Sequence, residues 1–276
     1  MNEEKQRHPS ALPHSYLPRL QLFEFHELPW FPEVLRNAIT EILRVLGVQL
    51  GVHTTVGPLL ENLMAETGSL QIVDLCSGAG GPILAIHGQL LSRHTRTPIV
   101  LTDKFPNLPA FEAAAKGGDS LIGYHAEPVD ARMVPPQLKG LRTLFNAFHH
   151  FDEGSARQIL ADAFHQKQPI AIFEMTERSL FNTGSNFVLS ALTMLALMPK
   201  MRNKRVAWWL ATYIVPILPL TFGWDGFISC LRSYTAAEFH QLVQDLKDDS
   251  YEWRTGRVRV PGSPVHINYY FGVPRK

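Results

Sequence analysis

Cysteine is scarce in this chain. Of 276 residues only Cys76 and Cys230 carry thiols, too few for a disulfide framework or a four-thiolate site, and no metal is expected. An excess of one charge is also missing: 26 Lys and Arg stand against 25 Asp and Glu, a formal charge of +1. That balance removes the electrostatic ground for expecting nucleic acid as a partner. The first ten residues, MNEEKQRHPS, hold no apolar run of the kind a secretory signal needs, so the expected compartment is the cytoplasm. Internal repeats and low-complexity tracts do not stand out, which argues against a solenoid or a disordered scaffold.

What is present reads as one α/β domain with additions. Residues 1–20 are polar and dotted with proline, and form an expected loose arm. From 30 to 50, Val34, Leu35, Ala38, Ile39, Ile42, Leu43 and Leu46 recur at helical spacing between Pro32 and Gly47. A second helix follows in GPLLENLMAETGS. Five short β-rich runs then alternate with helical patterns: LQIVDL, PIVLTD, LIGYHAEPVD, LRTLFNAF and PIAIFEM. That alternation implies βαβ units and a mostly parallel sheet. The tail, YEWRTGRVRVPGSPVHINYYFGVP, reads as two further strands about a Pro-Gly turn, completing a mixed sheet with a terminal antiparallel pair.

The first strand runs into IVDLCSGAGGP. A strand that ends in a glycine-rich turn before a helix sets bare amides against a ligand, and Gly78 and Gly80 permit approaches that a Cβ would block. Asp103 closes the second strand, where a carboxylate can accept from a ribose diol, with Lys104 beside it. Asp130 and Ala131 follow the third strand, and Asn146 and Ala147 the fourth. Cys76 is expected to keep a β-like backbone. A nicotinamide-binding fingerprint would place a third glycine where Ile83 stands, and its acid would fall earlier than Asp103.

On these residues the chain resembles the class I S-adenosylmethionine-dependent methyltransferases. The run Asp74-Leu75-Cys76-Ser77-Gly78-Ala79-Gly80 is similar to their nucleotide turn, over a stretch covering roughly 70–178, with the tail strands fitting their terminal hairpin. The resemblance implies a Rossmann-like fold and S-adenosylmethionine as cofactor. It implies that Asp74 and the turn amides face the methionine end, Asp103 the ribose and Asp130 the adenine amine, with Asn146 and Ala147 beneath the sulfonium.

Acceptor chemistry is less constrained. His149 and His150 follow the fourth strand, where a general base for a hydroxyl acceptor would stand, so O-methylation is favoured over N- or C-methylation. The acceptor is expected to be a small apolar or aromatic molecule. A retained cofactor steering another reaction, such as a cyclisation, and a membrane-associated binding module both stay open. Glu174 is placed to orient a histidine, to bind an acceptor amine or to pair with Arg178. Trp30 and Phe31 before the first helix, and Trp209, Tyr213 and Trp224 in the apolar stretch, are further acceptor-side candidates, Trp224 and Asp225 being read as part of a turn.

That stretch, 185–224, follows the fifth strand, where such enzymes insert an acceptor lid. Its run from Val206 to Trp224 is uncharged, and it lies beside Lys200, Arg202, Lys204 and Arg205. A helical lid is preferred to peripheral contact with a membrane, and Pro216 and Pro219 speak against a span. The expected divisions are 1–68 for arm and helical cap, 69–182 with 225–276 for the cofactor-binding core, and 183–224 for the lid.

Overall fold

The computed structural model describes residues 16–93, 95–117, 120–202 and 205–275. Seven strands form one sheet: β1 (Ile72–Asp74), β2 (Ile99–Leu101), β3 (Ile122–Tyr124), β4 (Leu141–Phe145), β5 (Ile170–Glu174), β6 (Tyr251–Arg259) and β7 (His266–Pro274). Their order is β3-β2-β1-β4-β5-β7-β6. The first five run parallel, and β7 pairs antiparallel with both β5 and β6. This is a Rossmann-like fold, in which the chain crosses back after β3 to lay β4 beside β1.

Period-two alternation divides the core into two layers. Ile72, Ala171 and Phe173 pack on one face with α2 (Val52–Thr67), α3 (Gly81–Ser92) and α4 (Leu108–Gly117). Val73, Ile170 and Ile172 pack on the other with α5 (Glu153–His165) and α9 (Ala236–Leu242). Both faces are covered, as the near-continuous apolar character of the strands requires. Asp152 caps α5 by accepting from the Ser155 amide at 2.7 Å, and Thr235 with Glu238 forms a capping box on α9.

A third cluster lies near the C-terminal ends of β4 and β5. It joins α1 (Glu33–Gln49) to α6 (Leu180–Leu197), α7 (Val206–Trp209) and α8 (Ile217–Arg232), through Ile39, Ile42, Met194, Trp208, Leu218 and Phe222. α6 and α8 pack closely because α8 carries glycine at the crossing: a Cβ on Gly223 would lie 2.8 Å from the Phe187 carbonyl. Several expected boundaries move as a result. α2 belongs to the sheet layer, so of the N-terminal helices only α1 joins this cap. α8 continues through positions 224 and 225, so Trp224 and Asp225 are helical, not part of a turn, and the chain returns to the sheet only after Arg232. Of the two prolines expected to break the apolar run, Pro216 does so, with 77° between Val206–Ile214 and Ile217–Arg232, whereas Pro219 lies in the first turn of α8, where a missing amide costs no helical hydrogen bond. The expected loose arm lies outside the described residues up to position 15. Residues 16–20 are bound, with Tyr16 bridging Ser179 and the Leu20 amide donating to the Leu231 carbonyl.

Candidate active site

The glycine turn is built on Asp74. Buried at the end of β1, its carboxylate accepts from Thr143 Oγ1 at 2.6 Å and Ser77 Oγ at 2.7 Å. Burial pushes this carboxyl up to about 7, against the opposing pull of the two hydroxyl bonds and with a small addition from Asp103. Asp74 therefore braces the turn from beneath. Cys76 adopts φ +57°, not the β-like backbone expected of it, because the chain must reverse within six residues between β1 and α3. Gly78 and Gly80 also lie in the left-handed region, at +57° and +79°.

Asp103 spans the crevice from β2, accepting from the Gly78 amide at 2.8 Å and the Phe105 amide at 2.9 Å. Asp130 is gripped by Arg132 at 2.6 and 2.9 Å and by Lys104 at 3.2 Å; the Arg132 hydrogen bonds dominate in holding it well below the usual carboxylate range. Ala131 and Ala147 are buried. Asn146, at φ +48°, joins β4 to β5: its amide donates to the Phe173 carbonyl, and its Oδ1 accepts from the Met175 amide.

These residues fit a cofactor with a ribose diol. A Cβ built on Gly78 meets nothing within 4 Å, so the turn faces open space. A carboxylate stands across from it at the end of β2, on the side of the sheet where such ligands bind.

Asn146 also opens onto a cavity of about 210 Å³, walled by Ile39, Leu43 and Leu46 of α1 and by Phe222 of α8. His149 and His150 form its polar floor, in a 3-10 turn over Phe148–His150. His149 is 3% exposed, and its Nδ1 lies 2.6 Å from Glu174 Oε2. Glu174 Oε1 accepts from the Phe148 and His149 amides at 2.7 and 3.3 Å. A carboxylate oxygen accepts, so Nδ1 is the donor of this pair, and in the neutral imidazole the lone pair then sits on Nε2. Glu174 thus orients the histidine, while Arg178 pairs with Glu238 at 2.6 Å instead.

The remaining polar wall comes from a segment that the sequence reading did not assign to the site. Glu24, His26 and Glu27 are held over α8 by Asp225, Ser229 and Arg232. Asp225 accepts from the Phe25 amide at 2.6 Å and lies 2.9 Å from His26 Nδ1. Arg232 donates to Glu24 at 3.0 Å and to Glu27 at 2.8 Å, and Glu27 lies 2.7 Å from His150 Nδ1. Burial alone would raise the Glu24 carboxyl, but the positive charge that His150, His149 and His26 carry when protonated, with that of Arg232, holds it below the ordinary range. Burial likewise opposes charging of His150, yet Glu24 and Glu27 outweigh it and raise its pKa. Glu24, His149 and His150 are close enough for a metal ion, but the Arg232 guanidinium, 3.0 Å from Glu24 and 3.4 Å from His150, is a cation already lodged among them.

The aromatic candidates do not gather here. Phe31 is buried in the helical core and Trp30 is 68% exposed. Trp209 and Tyr213 pack on one another at 5.3 Å on the outer surface. Trp224 donates from its indole to the Phe23 carbonyl. None of the five lines the cavity, because Phe222, Asp225, Gly226 and Ser229 are the α8 residues turned inward.

No protein-family model matches the chain, and no curated protein matches it in sequence. Solved structures do match in fold. They include human N-acetylserotonin methyltransferase in complex with SAM, at 15% identity and TM-score 0.48, over 94% of this chain and 64% of that one. The mitomycin 7-O-methyltransferase MmcR matches at 13% identity and TM-score 0.46, over 83% and 54%. LepI in complex with SAM matches at 15% and 0.43, over 74% and 43%. The chain spans about half the length of these proteins, and at such values no residue role carries over from them.

Proposed function

We propose that this protein is a cytoplasmic S-adenosylmethionine-dependent methyltransferase that methylates a hydroxyl group of a small aromatic acceptor. The observation that carries this reading is the buried Glu174–His149 pair, at 2.6 Å, on the floor of a largely apolar cavity that Asn146, the residue after β4, also lines. The cofactor would lie against the open side of Gly78, with the Asp103 carboxylate and Asn146 as its polar partners, and when bound it supplies an electrophilic methyl group. Two free cysteines, Cys76 and Cys230, agree with a reducing compartment.

The chain's own residues account for the rest. Glu174 fixes the His149 tautomer, so that Nε2 takes the proton from an acceptor hydroxyl as that oxygen becomes nucleophilic. Ile39, Leu43 and Phe222 exclude water and hold the ring. Cavities of about 150 Å³ accept benzene, so 210 Å³ suits one substituted aromatic ring. The α6–α8 hairpin supplies Asn186, Ser190 and Phe222 to the wall, which is the role of an acceptor lid.

The test is release of S-adenosylhomocysteine when the purified protein is incubated with S-adenosylmethionine and a panel of monocyclic phenols. A phenol-dependent signal, with the methyl ether as product, is expected. Cofactor binding without any release would contradict methyl transfer and favour a retained cofactor.

A further inference from the structure

The α6–α8 hairpin has an outer side that the cavity does not use. On α6, Phe181, Val188 and Leu192 recur at near-helical spacing and are exposed by 80, 55 and 54%, with Leu189 beside them at 57%. A surface helix of a globular protein turns polar residues outward, and here the outward stripe is apolar. The corner after α7 continues it with Leu210, Ile214 and Val215, and the Tyr213 hydroxyl ties that corner to α6 by donating to the Leu195 carbonyl at 2.7 Å. Among the described residues this is the one helix long and apolar enough to cross a bilayer, yet its inner side carries Asn186 and Ser190 of the cavity. It therefore has two unlike faces, which suits lying on a bilayer rather than crossing it.

Charge identifies the partner. Between Leu180 and Trp224 the sequence contains no Asp or Glu, and its only charged residues are Lys200, Arg202, Lys204 and Arg205. Lys200, Arg202 and Arg205 are exposed beside the apolar corner. Glu41, which accepts from the Arg202 amide at 3.0 Å, is itself paired with Arg44 at 2.7 Å and leaves the rim positive. Trp209 and Tyr213 stand at this junction of apolar and basic surface, where amphipathic aromatics favour a lipid headgroup layer. We infer that the outer face of the α6–α8 hairpin docks the protein on an anionic lipid bilayer, with Phe181, Val188, Leu192 and Ile214 entering the acyl boundary and Lys200, Arg202 and Arg205 on the headgroups. Docking of this face is independent of the chemistry in the cavity.

Flotation of the full chain with lipid vesicles tests this. The protein should float with vesicles of phosphatidylcholine containing phosphatidylglycerol, and much less with phosphatidylcholine alone. Each basic residue near an anionic surface is worth about a five-fold factor, so Arg202→Glu with Arg205→Glu should lower binding by at least about 25-fold. Val188→Glu with Leu192→Glu, at exposed positions, should abolish flotation while leaving the melting temperature and S-adenosylmethionine binding unchanged. Absence of flotation by the wild type, or equal flotation on neutral vesicles, overturns the inference. So does a wild-type dimer that Leu192→Glu converts to monomer without any vesicle binding, because a second copy then covers the face.

Discussion

Replacing Glu174 by Gln keeps the shape of the side chain and removes its charge, which isolates its role as the orienter of His149. Glu174 is 2% exposed and accepts a long hydrogen bond from Thr176 Oγ1 at 3.5 Å and three closer ones, from His149 Nδ1 at 2.6 Å and from the Phe148 and His149 amides at 2.7 and 3.3 Å. A glutamine cannot satisfy all three. If its carbonyl keeps the two amides, its NH2 faces Nδ1 and forces the imidazole proton onto Nε2, where the base is needed. If its carbonyl faces Nδ1, the NH2 opposes two backbone donors and a charge-assisted bond is replaced by a neutral one, at about 1–2 kcal/mol. The first arrangement retains more bonds and is the expected outcome. General-base assistance is worth about 10²- to 10⁴-fold, so kcat should fall by that range while S-adenosylmethionine affinity stays within about three-fold. The assay is S-adenosylhomocysteine release at saturating cofactor and phenol, with calorimetry for cofactor affinity and a melting curve for the fold. Adding Glu174→Gln to His149→Gln should cost little more, since the two act as a unit. A Glu174→Gln enzyme that folds and turns over within about three-fold of wild type would refute the role given to both residues.

Other perturbations give equally direct outcomes. Asp103→Asn should weaken S-adenosylmethionine binding by about 1–3 kcal/mol in calorimetry, because a charged acceptor for hydroxyl donors is lost. Stability of the free protein should fall as pH rises from about 4 to about 7, with a further loss above about pH 6.5. Asp74, raised to about 7 from 3.8, stays protonated in the fold where the open chain is ionised, so its penalty is absent below pH 3.8 and complete above about 7, where it approaches 4 kcal/mol as an upper figure. His150, also raised, adds in the same direction: its contribution is whole below about pH 6.5 and is lost as pH rises through its folded value. Denaturant titrations of Asp74→Asn should show a flatter pH profile, and an unchanged slope would contradict the assignment. Gly223→Val should pry α6 from α8, since its first side-chain carbon alone meets the Phe187 carbonyl at 2.8 Å; a melting temperature lowered by several degrees is expected, and an unchanged one would show that the hairpin has slack.

The sheet was legible because parallel strands buried on both faces leave short apolar runs between helices, and its strand-end acids follow in chain order. The Thr235–Glu238 box and the Asp152 cap are written in the local sequence, since both depend on residues within three positions. For Glu174 the sequence offered a histidine or Arg178 as partner and could not choose between them, because the His149 contact spans 25 residues and depends on β4 lying beside β5. The Glu24–Glu27 segment was missed for a stronger version of that reason, its partners on α8 being some 200 residues away. A signal existed: Asp225, Ser229 and Arg232 fall at i, i+4 and i+7 in an otherwise apolar helix, a polar stripe that must find buried partners. The aromatic residues misled because size and amphipathic character suit a pocket and an outer surface equally, and helix rotation put Trp209, Tyr213 and Trp224 outside.

The central claim is that the glycine-turn crevice holds S-adenosylmethionine, and isothermal titration of the wild type against Gly78→Val tests it most directly. Gly78 sits at φ +57° before open space, so valine both strains the turn and fills the approach. The wild type should bind S-adenosylmethionine at one site per chain and bind no nicotinamide dinucleotide, and the variant should lose the heat of binding while α6 to α9 remain folded. A wild type that binds neither S-adenosylmethionine nor its demethylated product, or that binds the nicotinamide dinucleotide in their place, contradicts the account.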